Sequence, residues 1–243
     1  MSELIVEINR TERENTDVKK SRFSDAPWFN KALSASAIIG GIGNIGSWCS
    51  LFLARQGVSL YIYDFDTVSE VNLASQLYSI ENIGESKYDS LVNTLEQYVD
   101  HTIKDTGKIQ ALGELTTGNL IVDKYCFSCF DNMKARKMLF EAWVTQYKDE
   151  KDAIFIDGRL LAEIGQVFFV TTDRIEQYRA TLFDDSEVAL ENCAYKGTTH
   201  CSAIIAGLMV NGFNNFLVNL STPIRELPFN IDYQLPLFNF QIK

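Results

Sequence analysis

The stretch from Ala37 to Lys87, AIIGGIGNIGSWCSLFLARQGVSLYIYDFDTVSEVNLASQLYSIENIGESK, decides the fold. An apolar run enters a glycine turn, Gly41-Ile42-Gly43-Asn44-Ile45-Gly46, and an amphipathic pattern comes next. A second apolar run, Ser59 to Tyr63, then ends on Asp64. Such an order holds a nucleotide. Glycines let the backbone turn tightly and approach phosphates, a helix N-terminus offers free N–H groups and partial positive charge, and the acid takes ribose hydroxyls. Gly41, Gly43, Asn44, Gly46 and Asp64 are therefore the expected nucleotide-binding residues.

Outward from that stretch, strand and helix patterns alternate to Asp157. We expect helices at Ile45–Gln56, Gly84–Val99 and Asn132–Tyr147, and strands at 37–40, 59–63, 108–112, 126–130 and 153–157. Alternation of this kind predicts an α/β fold: a Rossmann-like, mostly parallel sheet with helices on both faces, and mixed strands toward the C-terminus. Gly165–Thr171 reads as a further strand, 173–199 as an irregular crossover and Ser202–Asn219 as a helix. The tail, with Pro223, Pro228 and Pro236, reads as short extended segments. Residues 1–35 read as an N-terminal arm, with a short strand over Leu4 to Ile8 and an aromatic-bearing segment over 21–35. Residues 36–243 read as one nucleotide-binding domain.

Composition narrows the function classes. With 243 residues, 46% of them hydrophobic, the chain can bury one substantial core. A formal net charge of -10 argues against a nucleic-acid partner, which requires a basic face. No run of about 18 uninterrupted apolar residues predicts a membrane span, and the charged N-terminus lacks the apolar stretch of a signal peptide. Five cysteines without framework spacing predict reduced thiols and a cytoplasmic location. Cys126 and Cys129 fall in one expected strand, with side chains aimed at opposite faces, so both read as core rather than a metal pair. Cys49 and Cys201 read as core. His101 and His200 are too far apart in sequence to argue as a metal pair.

The residues beyond Asp64 distinguish the nucleotide. Asp64-Phe65-Asp66-Thr67-Val68, then Asn72-Leu73-Ala74-Ser75-Gln76, then Ile83-Gly84-Glu85-Ser86-Lys87 resembles the ThiF/MoeB/HesA superfamily of ubiquitin-activating-type adenylyltransferases. Its pattern there reads D-x-D-x-V, N-L-x-R-Q and D-I-G-x-x-K. The resemblance extends to Asp131-Asn132 and to Ile156-Asp157-Gly158, and covers residues 37 to 217. It implies an attack by a protein's C-terminal carboxylate on the α-phosphate of ATP with Mg2+. It further implies Asp64 on the ribose, Lys87 on phosphate, Asp131 on magnesium, and Asn72 and Gln76 lining the phosphate channel, with Asp66 in the same site. The implied partner is a small ubiquitin-like or sulfur-carrier-like protein or peptide. The implied assembly is a homodimer, in a minimal prokaryotic or viral form.

Two departures bear on catalysis. Ser75 stands where the family pattern has arginine, and Asp25 falls where the N-terminal arginine finger would lie. Losing two cations from a phosphoryl-transfer site costs several kcal/mol of transition-state stabilisation, on the order of what electrostatic donors supply. Arg159, beside the strand end at Asp157-Gly158, is the first candidate to replace one; Arg136 and Arg22 are further candidates. A plain alternative pairs Arg159 with Glu163; if Arg159 is the substitute cation, restoring arginine at 75 in a variant lacking Arg159 is expected to recover part of the turnover. Cys193 lies where some family members carry a catalytic cysteine, with Lys196 and His200 near it in sequence; packing below the final helix is the competing reading. An Asp at a strand end is often only a helix cap, which is the competing reading of Asp131. The expectation is an adenylyltransferase, and the alternative is a degenerate, nucleotide-binding scaffold. A dinucleotide oxidoreductase explains the glycines and Asp64 but leaves Asn72, Lys87 and Asp131 unexplained.

Overall fold

The structure, a computed structural model, describes residues 24–99, 109–116, 120–184 and 197–243. The expected strand at Leu4 to Ile8, Arg22, His101, Cys193 and Lys196 lie outside these residues. The described elements are α1 (Phe29–Leu33), β1 (Ser36–Gly40), α2 (Asn44–Arg55), β2 (Ser59–Tyr63), α3 (Lys87–Leu95), β3 (Ile109–Gly113), β4 (Tyr125–Ser128) and α4 (Met133–Tyr147). They continue with β5 (Ile154–Leu161), β6 (Ile164–Thr171), α5 (Ile175–Arg179), α6 (Thr199–Asn219), β7 (Asn230–Gln234) and β8 (Asn239–Ile242).

One eight-stranded sheet runs β3-β2-β1-β4-β5-β6-β7-β8. The first five strands are parallel, and β5 to β8 pair antiparallel. Parallel strands covered on both faces lack an alternating polar side: Tyr125, Cys126, Phe127 and Ser128 of β4 are all buried. The chain leaves β1 toward β3, then returns to the other side of β1 as β4. That reversal opens a crevice at the strands' carboxyl ends, where this class of sheet binds ligands.

Two apolar clusters flank the sheet. On one face, Ile39, Ile62, Phe127 and Ile156 pack with Cys49 and Leu53 of α2 and Ile205, Met209 and Phe213 of α6. On the other, Ile38, Cys126 and Phe155 pack with Phe140 and Trp143 of α4 and Tyr178 of α5. Cys126 and Cys129 therefore serve opposite faces, as strand alternation predicts. Helix α6 is long and apolar enough to cross a membrane by composition, but 67% of its most apolar window is buried; it packs on α2, β5 and β6 as a core helix. Helix α1 is also docked: Phe29 and Ala32 are buried, and Lys31 Nζ donates to the Leu217 carbonyl at 2.5 Å. The expected tail of extended segments becomes β7 and β8, joined through a short 3-10 turn over Leu235–Leu237.

Candidate functional site

The glycine turn is built from backbone constraints. Gly41 has φ of +82°, a left-handed conformation that glycine adopts without penalty. Gly46 lies so close to the Gly41 carbonyl that an added Cβ would sit 1.9 Å from its oxygen. Between them Gly43 precedes α2, and its missing side chain leaves open space bounded by the Gln76 amide, 3.8 Å from an added Cβ. Helix α2 has no side-chain cap at Gly43, so its first N–H groups are offered to whatever enters the turn.

Asp64 locks this turn to β2. One carboxylate oxygen accepts from the Ile42 N–H at 2.9 Å and the other from the Asp66 N–H at 2.9 Å. Each oxygen keeps acceptor capacity beyond one bond, so Asp64 can hold the loop and still receive ribose hydroxyls. Tyr78, unforeseen from the sequence, donates its hydroxyl to the Ile42 carbonyl at 2.7 Å. Burial first, and then the Asp64 and Asp66 carboxylates, push its phenol well up, so it remains a donor at neutral pH.

Lys87 opens α3, and its Nζ donates to Asp66 Oδ2 at 2.7 Å. The lysine side chain is 7% exposed and that of Asp66 54%. The positive end of a helix disfavours a cation, and Asp66 offsets that cost. An ammonium has three donors, leaving capacity for a phosphate oxygen. Across the crevice the Cys129 N–H donates to the Gly40 carbonyl at 2.8 Å. That bond holds the end of β4 against the turn and sets Asp131 at the rim, exposed, before the helix cap Asn132.

The loop from Ser69 to Tyr78 is folded by its own side chains. The Asn72 carboxamide oxygen accepts from the Ser69 N–H at 2.8 Å and from its hydroxyl at 3.1 Å, a capping box on the 3-10 turn Glu70–Ala74. Asn72 thus carries a structural role besides any contact with phosphate. Gln76 Oε1 is buried without a hydrogen-bond partner, an orphaned polar atom beside the glycine turn. The structure therefore brings Gly41, Gly43, Asn44, Gly46, Asp64, Asp66, Asn72, Gln76, Lys87 and Asp131 to one end of the sheet.

Ser75 and the arginines depart from expectation. Ser75 is buried, and its hydroxyl donates to Asn44 Oδ1 at 2.7 Å. The position that carries arginine in the family pattern thus points inward, onto the start of α2. Replacing Ser75 with arginine is expected to overpack this contact and cost about 1–3 kcal/mol, instead of simply re-supplying a cation. Thermal denaturation checks this: an unchanged midpoint together with tighter ATP binding would show that the arginine swings outward.

Arg159 does not pair with Glu163. It donates through Nε to Asp157 at 2.8 Å and through its terminal nitrogens to the Thr181 carbonyl and hydroxyl at 3.1 and 3.0 Å. Its guanidinium also lies 4.4 Å from the centre of the Phe168 ring. Arg136 pairs with the other Asp157 oxygen and donates to the carbonyls of Gly158 and Phe130. Both arginines are committed to Asp157. Through the Phe130 carbonyl Arg136 braces the residue just before Asp131, as a positioning group. Nothing local in the sequence signals this cluster, because its members come from the segment after β4, from α4, from β5 and from the segment after α5. Cys193, the candidate nucleophile, lies outside the described residues.

A reversal-point crevice, a bare helix N-terminus and a loop-fixing acid define a Rossmann-like α/β domain. The family model described as the ThiF family matches residues 18–242, and the chain belongs to the ThiF family. Among curated proteins it is similar to ubiquitin-like modifier-activating enzyme 5 of Arabidopsis thaliana, 24% identical over 219 residues, covering 80% of this chain and 50% of that protein. The Oryza sativa subsp. japonica enzyme of the same name is 32% identical over 217 residues, covering 80% and 51%. The chain thus spans about half the length of these relatives. Among solved structures it resembles E. coli MccB crystallised with ATP, at 15% identity and a TM-score of 0.61, covering 94% of this chain and 72% of that one. PaaA is similar at 16% identity and a TM-score of 0.63, covering 98% and 73%. At these identities the likeness shows the fold.

Proposed function

We propose that this chain is an ATP-dependent adenylyltransferase that activates the C-terminal carboxylate of a small protein or peptide as an acyl-adenylate. The observation that carries the reading is the convergence of Asp64, Lys87–Asp66, Gln76 and Asp131 around the glycine turn. A dinucleotide oxidoreductase leaves Lys87 and Asp131 unexplained. The names of the curated relatives, and the MccB structures obtained with ATP and with MccA, support the same reading.

In the reaction a carboxylate oxygen forms a bond to the α-phosphorus, the bond to the bridging oxygen breaks, and pyrophosphate leaves with the electron pair. The barrier is electrostatic, since two anions meet. Asp64 orients the ribose, the turn and α2 N-terminus take phosphate oxygens, and Lys87 neutralises charge beside them. One exposed carboxylate at Asp131, with nucleotide phosphates and water, is a donor set that Mg2+ accepts. When bound there, Mg2+ supplies charge neutralisation across the phosphates. The orphaned Gln76 oxygen beside the glycine turn fits a ligand that brings a hydrogen-bond donor there. The proposed partner is a ubiquitin-like or sulfur-carrier-like protein or a peptide, and the proposed assembly is a homodimer.

Pyrophosphate exchange with peptides ending in Gly-Gly tests turnover. Asp64→Ala is expected to weaken ATP by about 1–3 kcal/mol through lost charge-assisted hydrogen bonds, as calorimetry reads; unchanged affinity removes Asp64 from the site. A specific observation favours a second reading, a nucleotide-binding scaffold: Ser75 turns inward, and Arg136 and Arg159 are both held by Asp157. ATP binding without exchange across the peptide panel would select the scaffold.

A further inference from the structure

We propose that Glu163, His200 and Cys201 form a binding site for a borderline-soft divalent metal of the zinc class, separate from the nucleotide crevice. Glu163 sits in the turn between β5 and β6, and His200 and Cys201 lie in the first turn of α6. Their ligand atoms all lie within 4.8 Å of one another. His200 Nε2 is 3.4 Å from Glu163 Oε1. A tetrahedral zinc with nitrogen and oxygen ligands places those two atoms about 3.3 Å apart, so that pair already has the required edge. The sulfur needs at most about 1.3 Å of closure to complete a face of the tetrahedron, since a sulfur–nitrogen edge is about 3.5 Å.

The donor set selects the metal. A thiol, an imidazole and a carboxylate suit zinc and its neighbours, whereas magnesium and calcium take oxygen ligands alone. Three protein ligands leave the fourth position to water. On binding, the Cys201 thiol gives its proton to solvent and the sulfur bonds the metal as thiolate. A nucleophilic role for Cys201 is disfavoured independently, because its side chain is buried away from the crevice's solvent.

The placement gives the metal a task. Ala162, just before Glu163, has φ of +55° and bridges to Gly197, so the turn is already pressed against the start of α6. Thr199 there donates its hydroxyl to the Ala74 carbonyl at 2.6 Å, on the loop that carries Asn72, Ser75 and Gln76. A metal at this point ties the β5–β6 turn to the helix end that supports the nucleotide loop.

Cobalt(II) titration of the full chain under reducing conditions tests the site. The expected result is one equivalent bound, with a thiolate-to-cobalt charge-transfer band that zinc displaces, and a rise in thermal midpoint with zinc. His200→Ala and Glu163→Gln are each expected to weaken binding by at least about 100-fold, more than loss of an outer partner costs, and to remove the thermal shift. Cys201→Ser should abolish the band; because Cys201 is core, the half-exposed His200 variant keeps the test readable if that protein does not fold. Absence of the band in the wild type overturns the proposal. So does a full-strength band in His200→Ala, which would assign the metal to another thiol.

Discussion

Lys87→Ala is expected to lower adenylate formation by about 10²–10³-fold, the usual effect of removing one preorganised electrostatic donor from a transition state. The ammonium is held beside Asp66 at 2.7 Å in a side chain only 7% exposed, so in the proposed reaction it would meet the phosphates already desolvated and oriented. Fixed charge in such a place acts on developing phosphoryl charge more strongly than a mobile surface lysine would. Lys87 is buried, a tertiary feature that no local spacing in the sequence signals. Its loss should still leave the fold standing, at a cost on the order of 1 kcal/mol, because the Asp66 side chain is 54% exposed and water takes the lost partner's place. Pyrophosphate exchange and a thermal melt on the same preparation separate the two effects. Unchanged exchange would remove Lys87 from the reaction; a collapsed melt would make it a core residue. Lys87→Arg, which keeps the charge, should retain more activity than alanine.

Asp157→Ala is expected to destabilise the protein by about 3–5 kcal/mol, the cost of stranding buried charge. Asp157 has no solvent exposure, and the Arg136 and Arg159 side chains on its two oxygens are 5% and 13% exposed. Without the carboxylate two guanidinium groups face each other in a site closed by Phe168 and Tyr178. Asp157→Asn keeps the volume and should fall nearly as far, which separates charge from packing. Arg159→Ala should be milder, because Arg136 still holds Asp157. Denaturant unfolding reads all three. A stability for Asp157→Ala within about 1 kcal/mol of wild type would show that water reaches the cluster.

The fold and the glycine-turn end of the candidate site were legible because both rest on local signals. An apolar run, a glycine turn and a strand-end acid each constrain the backbone over a few residues, and β1, α2 and β2 lie within one residue of the expected bounds. Helix α3 is shorter than its pattern, Lys87–Leu95 in place of Gly84–Val99. Gly84 adopts φ of +88°, which helix cannot use, and Ser86 caps the helix from its side chain. The resemblance implies only that Lys87 and Asp66 share a site; their pairing is seen first in the structure, since no spacing rule brings them together.

By itself the sequence determined the sheet class, the glycine turn with Asp64, and membership of a family whose motifs keep their order along the chain. Those features depend on backbone geometry and side-chain period, which act between near neighbours. The tertiary structure alone decided which way Ser75 points, that Asp157 holds both arginines, that Asp66 pairs with the buried Lys87, and that Glu163 meets His200 and Cys201. Each of these is a contact between segments distant in sequence. Its energy depends on burial and on partner geometry, and neither exists until the sheet and its helices have packed.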